Sequence, residues 1–240
     1  MEAGNSHRSN DGRPFGVLVK KIPQLNIKKM GTLRYFDLEK LKNDYNCDFL
    51  VETGTFEGDS VKYASSFSFK KIFSIEIYPK LALECQELFK DVANIQILNT
   101  SSTIGLELVS QELDGNCIFW LDAHFPGSDV GDTSYAEEQD DKVNVPLIEE
   151  LKIIAQRQNQ YQDVILIDDL RMFEEVPPEA GVRGFDEHMA VIGQPEVKRT
   201  DIVNFNLADK IQKLFPQKTV TKRWFHEGYL ALLPNNESSS

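Results

Sequence analysis

Between Val51 and Ser60 the chain reads Val-Glu-Thr-Gly-Thr-Phe-Glu-Gly-Asp-Ser, and this run most constrains the fold. The apolar segment Asp48-Phe49-Leu50-Val51 precedes it, and Ser60-Val61-Lys62-Tyr63-Ala64, with helical character, follows. A strand, a tight glycine turn and a helix start form a corner of the kind that receives nucleotides. Gly54 lets the chain turn sharply and lets a ligand approach the backbone. Gly58 permits close packing where the helix begins. The first N–H groups of that helix are free to meet a carboxylate or a phosphate. The spacing is E-x-G-x-x-x-G rather than the G-x-G-x-x-G dinucleotide fingerprint. An acid in the first position suits a cationic ligand group better than a pyrophosphate.

The order of elements then dictates the architecture. Apolar runs near 48–52, 72–76, 95–98, 117–122 and 164–168 read as strands, with helical stretches near 60–66, 79–90, 103–111 and 146–158. Such alternation implies a parallel sheet with right-handed crossovers. Phe36, Leu38, Leu41 and Tyr45 follow a helical period, and that helix is expected to pack at the sheet edge ahead of the first strand. Residues 219–225 and 229–233 flank the turn His226-Glu227-Gly228 and read as a closing hairpin. The expected fold is α/β: a Rossmann-like, doubly wound, mostly parallel seven-stranded sheet closed by a C-terminal antiparallel hairpin. One domain over 15–234 suits the chain length, with tails at 1–14 and 235–240.

A formal net charge of −12 disfavours nucleic acid and anionic membrane surfaces. No apolar run approaches the ~20 residues a membrane helix needs. Cys47, Cys85 and Cys117 are scattered, without zinc spacing, and point to a reducing cytoplasm.

Besides Glu52, three further strand ends carry acids. Ile72-Phe73-Ser74-Ile75-Glu76 ends in one, at the place where Rossmann-type units accept ribose hydroxyls. Ile118-Phe119-Trp120-Leu121-Asp122-Ala123-His124 ends in Asp and His, and Val164-Ile165-Leu166-Ile167-Asp168-Asp169 in paired Asp. A doubly wound sheet sets strands one, four and five side by side, ~4.8 Å apart. Glu52, Asp122 and Asp168 therefore gather at one edge. Such carboxylates repel unless protonated or bridged by a cation, and hard oxygen donors select Mg²⁺, Ca²⁺ or Mn²⁺. His124 is the leading candidate base, with His226 and His188 as alternatives. Arg171 either holds an acceptor carboxylate or pairs with Asp169. Phe119 and Trp120 read as sheet core. Two long segments, Phe125–Asn144 with Asp129, Asp132, Glu137, Glu138, Asp140 and Asp141, and Phe173 to about Asp201, rise from the carboxyl edge as candidate lids or acceptor sites.

The turn acid, the two spaced glycines and the ribose acid together resemble the S-adenosylmethionine site of class I methyltransferases. The resemblance covers roughly residues 45–234. It implies cofactor contacts at Glu52, Thr53, Gly54, Thr55, Gly58, Ser60, Glu76 and Asp122, and adenine contacts at Ser101 or Ser102, which read equally as a helix N-cap. The strand ends L-D and I-D-D further resemble metal-dependent macrocin-type O-methyltransferases, which implies a divalent cation, Mg²⁺ foremost, on Asp122, Asp168 and Asp169. The run W-L-D-A-H-F, then P-L-I-E-E-L and L-I-D-D-L-R-M-F, is also similar to a group of bacterial methyltransferase-like proteins. The implied acceptor is a small-molecule or sugar hydroxyl, with Asp122 and His124 catalytic; a homo-oligomer is left open. Two other readings stand: a non-catalytic binding protein of the same fold, and a nicotinamide-dependent oxidoreductase, which the E-x-G-x-x-x-G turn disfavours.

Overall fold

The computed structural model describes residues 32–124, 145–191, 193, 195, 198–199 and 207–235. The N-terminal tail, residues 15–31 of the expected domain, the acidic segment 125–144 and residues 236–240 lie outside them.

Seven strands form one sheet in the order β3-β2-β1-β4-β5-β7-β6. They are β1 (Cys47–Thr53), β2 (Lys71–Glu76), β3 (Ile95–Asn99), β4 (Asn116–Leu121), β5 (Val164–Ile167), β6 (Lys218–Arg223) and β7 (Tyr229–Pro234). The first five run parallel, and β7 enters antiparallel between β5 and β6. This is the expected fold class, and the order reverses direction at β1, so a crevice opens above β1 and β4. Their interior runs are apolar almost without alternation because helices cover both faces.

On one face lie α1 (Leu38–Asp44), α2 (Asp59–Ala64) and α3 (Pro79–Phe89); on the other lie α4 (Ser102–Ser110), α5 (Leu147–Ala155) and, later in the chain, α8 (Leu207–Leu214). Their buried residues recur three or four positions apart. In α5 the buried positions are Leu147, Glu150, Leu151 and Ile154. Asp37 caps α1, its carboxylate accepting the Lys40 N–H at 3.1 Å. The first helix does not pack at the sheet edge as its period suggested. Phe36, just ahead of it, lies across the sheet face, 5.6 Å from the ring of Trp120 and 5.4 Å from that of Tyr229. The rings of Phe36 and Trp120 bury more apolar area over the central strands than an edge could offer.

The segment after β5 is also more ordered than a long loop. It contains α6 (Leu170–Phe173), a 3-10 turn at Pro178–Ala180 and α7 (Phe185–Val191). At the amino edge Arg157 ties the sheet together: it pairs with Asp163 at 3.0 Å and donates to the carbonyls of Leu113 and Gly115. Asp163 in turn accepts the Cys117 N–H at 2.9 Å. Among the described residues no helix is long and apolar enough to cross a membrane.

Candidate active site

The turn after β1 is built on left-handed residues: Gly54 (φ +82°), Phe56 (φ +49°) and Gly58 (φ +76°). A Cβ on Gly54 would stand 2.5 Å from the Asp122 carbonyl oxygen, and one on Gly58 would stand 2.8 Å from the Phe89 ring. Both glycines are thus required twice, by conformation and by contact. Gly54 also brings the turn directly against the end of β4.

Glu52 points inward. It is 1 % exposed, and its carboxyl accepts from the Ser74 hydroxyl at 2.5 Å and from Ser60. Thr55 shares a 2.6 Å hydrogen bond with the same Ser74 hydroxyl. Burial pushes the Glu52 carboxyl up to about 8, against the lowering effect of Ser74 and Ser60. Glu76, also buried, grips two backbones: it accepts from the Phe56 N–H at 3.0 Å and the Tyr78 N–H at 2.8 Å. Burial raises its pKa, and these N–H groups pull it back. The N–H groups of Thr55 and Ile77 bear on the same carboxylate. Thr53 is buried at the strand end, and its hydroxyl accepts weakly from the Asp122 N–H at 3.4 Å. Ser101 occupies the N-cap of α4 but makes no side-chain cap bond; its hydroxyl lies 3.4 Å from that of Thr103. Ser102 is buried and hydrogen-bonds Glu150.

At the ends of β4 and β5 the side chains Asp122, His124 and Asp169 converge. One ligand atom from each lies within 4.8 Å of the others. His124 Nε2 is 2.8 Å from Asp169 Oδ2, and its Nδ1 is 3.8 Å from Asp122 Oδ1. Asp168 does not share this cluster. Its carboxylate accepts the Thr32 hydroxyl at 2.5 Å and the Asp169 N–H at 2.7 Å. Burial first, then the Asp169 charge, pushes it up to about 8. Asp169 goes the opposite way: its pKa is lowered because the hydrogen bond and charge of His124, with Arg171, outweigh its burial. The left-handed backbone of Asp169 (φ +49°) swings its side chain toward His124.

Arg171 sits between Asp169 (3.3 Å) and Glu227 (3.2 Å), the first of which is the pairing that one of its two readings expected. The 3.3 Å approach to Asp169 is an ion pair without hydrogen-bond alignment. His226 stands outside the cluster, stacked on Tyr35 with centroids 4.6 Å apart. His188 lies on α7, its pKa lowered by burial first and then by Arg171. Phe119 and Trp120 are core, as expected.

Three residues of the site were not legible as such: Ser74, Glu150 and Thr32. Ser74 had a signal, as the polar break in Ile72-Phe73-Ser74-Ile75. Glu150 had one too, a carboxylate on the apolar stripe of its helix. Thr32 had none.

Strand order, hairpin and crevice define the class I methyltransferase fold. No family model matches the sequence, and no curated protein is similar to it. Among solved structures, the Podospora anserina methyltransferase PaMTH1 bound to SAH superposes with a TM-score of 0.51 at 16 % identity, over 82 % of this chain and 76 % of that one. The O-methyltransferase from Bacillus cereus in complex with SAH gives 0.45 at 13 % identity, over 82 % and 78 %. A SAM-dependent methyltransferase from Anabaena variabilis gives 0.46 at 12 % identity, over 83 % and 82 %. At these identities the first likeness establishes the fold and no more.

Proposed function

We propose that the chain is an S-adenosylmethionine-dependent methyltransferase acting on a hydroxyl of a small molecule, sugars included, with a divalent metal at the acceptor site. One observation carries the reading: Gly54 sets the glycine turn against the Asp122 backbone, so the donor corner adjoins the Asp122–His124–Asp169 cluster. A methyl donor in the first would reach an acceptor held by the second.

When bound, the cofactor supplies an electrophilic sulfonium methyl; the hydroxyl oxygen's electron pair forms the new C–O bond while the C–S pair stays on sulfur. Glu76, at the end of β2, is the acceptor for the ribose hydroxyls, and Glu52 with Ser60 backs the turn that receives the methionine end. His124, oriented by Asp169 through Nε2, takes the hydroxyl proton at Nδ1. Asp122 and Asp169 would hold a divalent ion, leaving His124 to act as the base. That ion would acidify and orient the acceptor oxygen. The three cysteines are free and buried, which accords with a reducing compartment.

The test is calorimetry with S-adenosylhomocysteine and NAD in parallel, followed by labelled methyl transfer to a panel of hydroxyl compounds. Binding of the first alone, with turnover, supports the reading. Binding without turnover on any acceptor favours the non-catalytic alternative, and binding of NAD alone overturns both. Verified metal removal by excess EDTA is expected to abolish turnover and leave cofactor affinity nearly intact. Full turnover after removal would rule out the ion.

A further inference from the structure

Glu150 has no part in the chemistry above, yet it is 1 % exposed in the interior of the domain. A carboxyl is costly there, and an apolar residue on the stripe of Leu147, Leu151 and Ile154 would be cheaper. Its partners show what it connects. The Ser102 hydroxyl, first residue of α4, donates to it, and so does the Thr53 hydroxyl, last residue of β1. The Thr53 oxygens receive the Asp122 N–H, the carbonyl at 3.1 Å and the hydroxyl at 3.4 Å. His124 lies close enough for its charge to act on Glu150. The Oε1 atom has no hydrogen-bond partner among the described residues. One side chain of α5 thus meets the end of β1, the start of α4 and, through Thr53, the end of β4.

We propose that Glu150 is a positioning residue that locks the donor corner and the reacting strand end into one piece. The inference rests on the methyltransferase reading for its functional meaning, but its structural content is independent. Without an acceptor at 150, the Thr53 and Ser102 hydroxyls are released to other rotamers. The Asp122 amide then loses the weaker, side-chain part of its support while keeping the Thr53 carbonyl, and the adenine side of the corner loses its link to the cluster.

The experiment uses the full chain with Glu150→Met and Glu150→Gln. Met fills the stripe and removes the acceptor. Gln accepts both hydroxyls through its amide oxygen, and its –NH2 takes the place of the second oxygen. In the Met variant, hydrogen exchange at the Asp122 and Ser102 amides is expected to quicken about tenfold, with exchange in β7 unchanged. Affinity for S-adenosylhomocysteine is expected to fall about tenfold by calorimetry. Gln restores both. Wild-type exchange at Asp122 in the Met variant overturns the proposal, as does a Gln variant no better than Met. If the Met variant does not fold, Thr53→Val removes the donor from the other side, and an unchanged Asp122 amide there overturns it equally. Should the wild type not bind S-adenosylhomocysteine, the methyl-donor reading fails, and the exchange data alone decide the role of Glu150.

Discussion

At the scale of single residues, the acids of this site divide by what neutralises them. Glu76 is held by N–H groups from two loops, so its loss should be felt twice. Glu76→Ala is expected to weaken S-adenosylhomocysteine binding by about 1–3 kcal/mol, the range for a hydrogen bond to a charged group. The same variant should also melt earlier, since the Phe56 turn loses its anchor. Unchanged affinity in a folded variant would refute the ribose role. For His124→Ala, turnover on any identified acceptor should drop about 10²-fold, the low end for general base catalysis, with cofactor affinity kept. The Asp pair shows where sequence stops being informative. Adjacent residues leave a strand in opposite directions, so Asp168 and Asp169 could not both face His124. Which one would do so depended on Thr32 and on a left-handed residue, and neither leaves a trace in a motif. Ser74 and Glu150 escaped for another reason: each was absorbed into an apolar run whose period was correct.

At the scale of elements, the strands were legible because helices cover both sheet faces. An uninterrupted apolar run of that length, bounded by turn residues, fits a strand buried on both sides. The hairpin was legible from its turn. The placement of the first helix was not, because periodicity gives a face to be buried but not its partner. The element most sensitive to change is the glycine turn. Gly54→Ala meets backbone at Asp122, where nothing flexible can yield, in addition to the cost of a positive φ. It is expected to destabilise the fold by more than about 2 kcal/mol in urea unfolding. Gly181→Ala, at φ +65° with nothing within 4 Å, should cost only the backbone term, about 1 kcal/mol. Equal losses at the two positions would contradict the contact between the turn and β4.

At the scale of the molecule, buried acids set the pH response. Burial lifts Glu52 to about 8 and Glu150 to about 7, both from an ordinary value of 4.5. A folded carboxyl with a raised pKa contributes stability that is full below pH 4.5 and is lost as pH climbs through 7 and 8. The ligand-free chain should therefore be more stable at pH 5.5 than at pH 8.5, by roughly 5 kcal/mol from these two groups at ~1.4 kcal/mol per pH unit, with Asp168, also raised to about 8, acting in the same direction. Glu52→Gln and Glu150→Gln should each flatten that slope, and a slope unaltered in both would place their protons elsewhere. The position of β7 has a different consequence. This strand is synthesised after all the others, yet it lies between β5 and β6, with every one of its residues buried. A nascent chain that has emerged as far as Arg223 leaves the β5 edge open and β6 without any strand to pair with, because β7 is the neighbour of both. During translation the half of the domain carrying Asp169 must wait for Tyr229–Pro234, while β1 to β4 already have their neighbours. Chaperones that guard exposed strand edges would meet this chain in that interval.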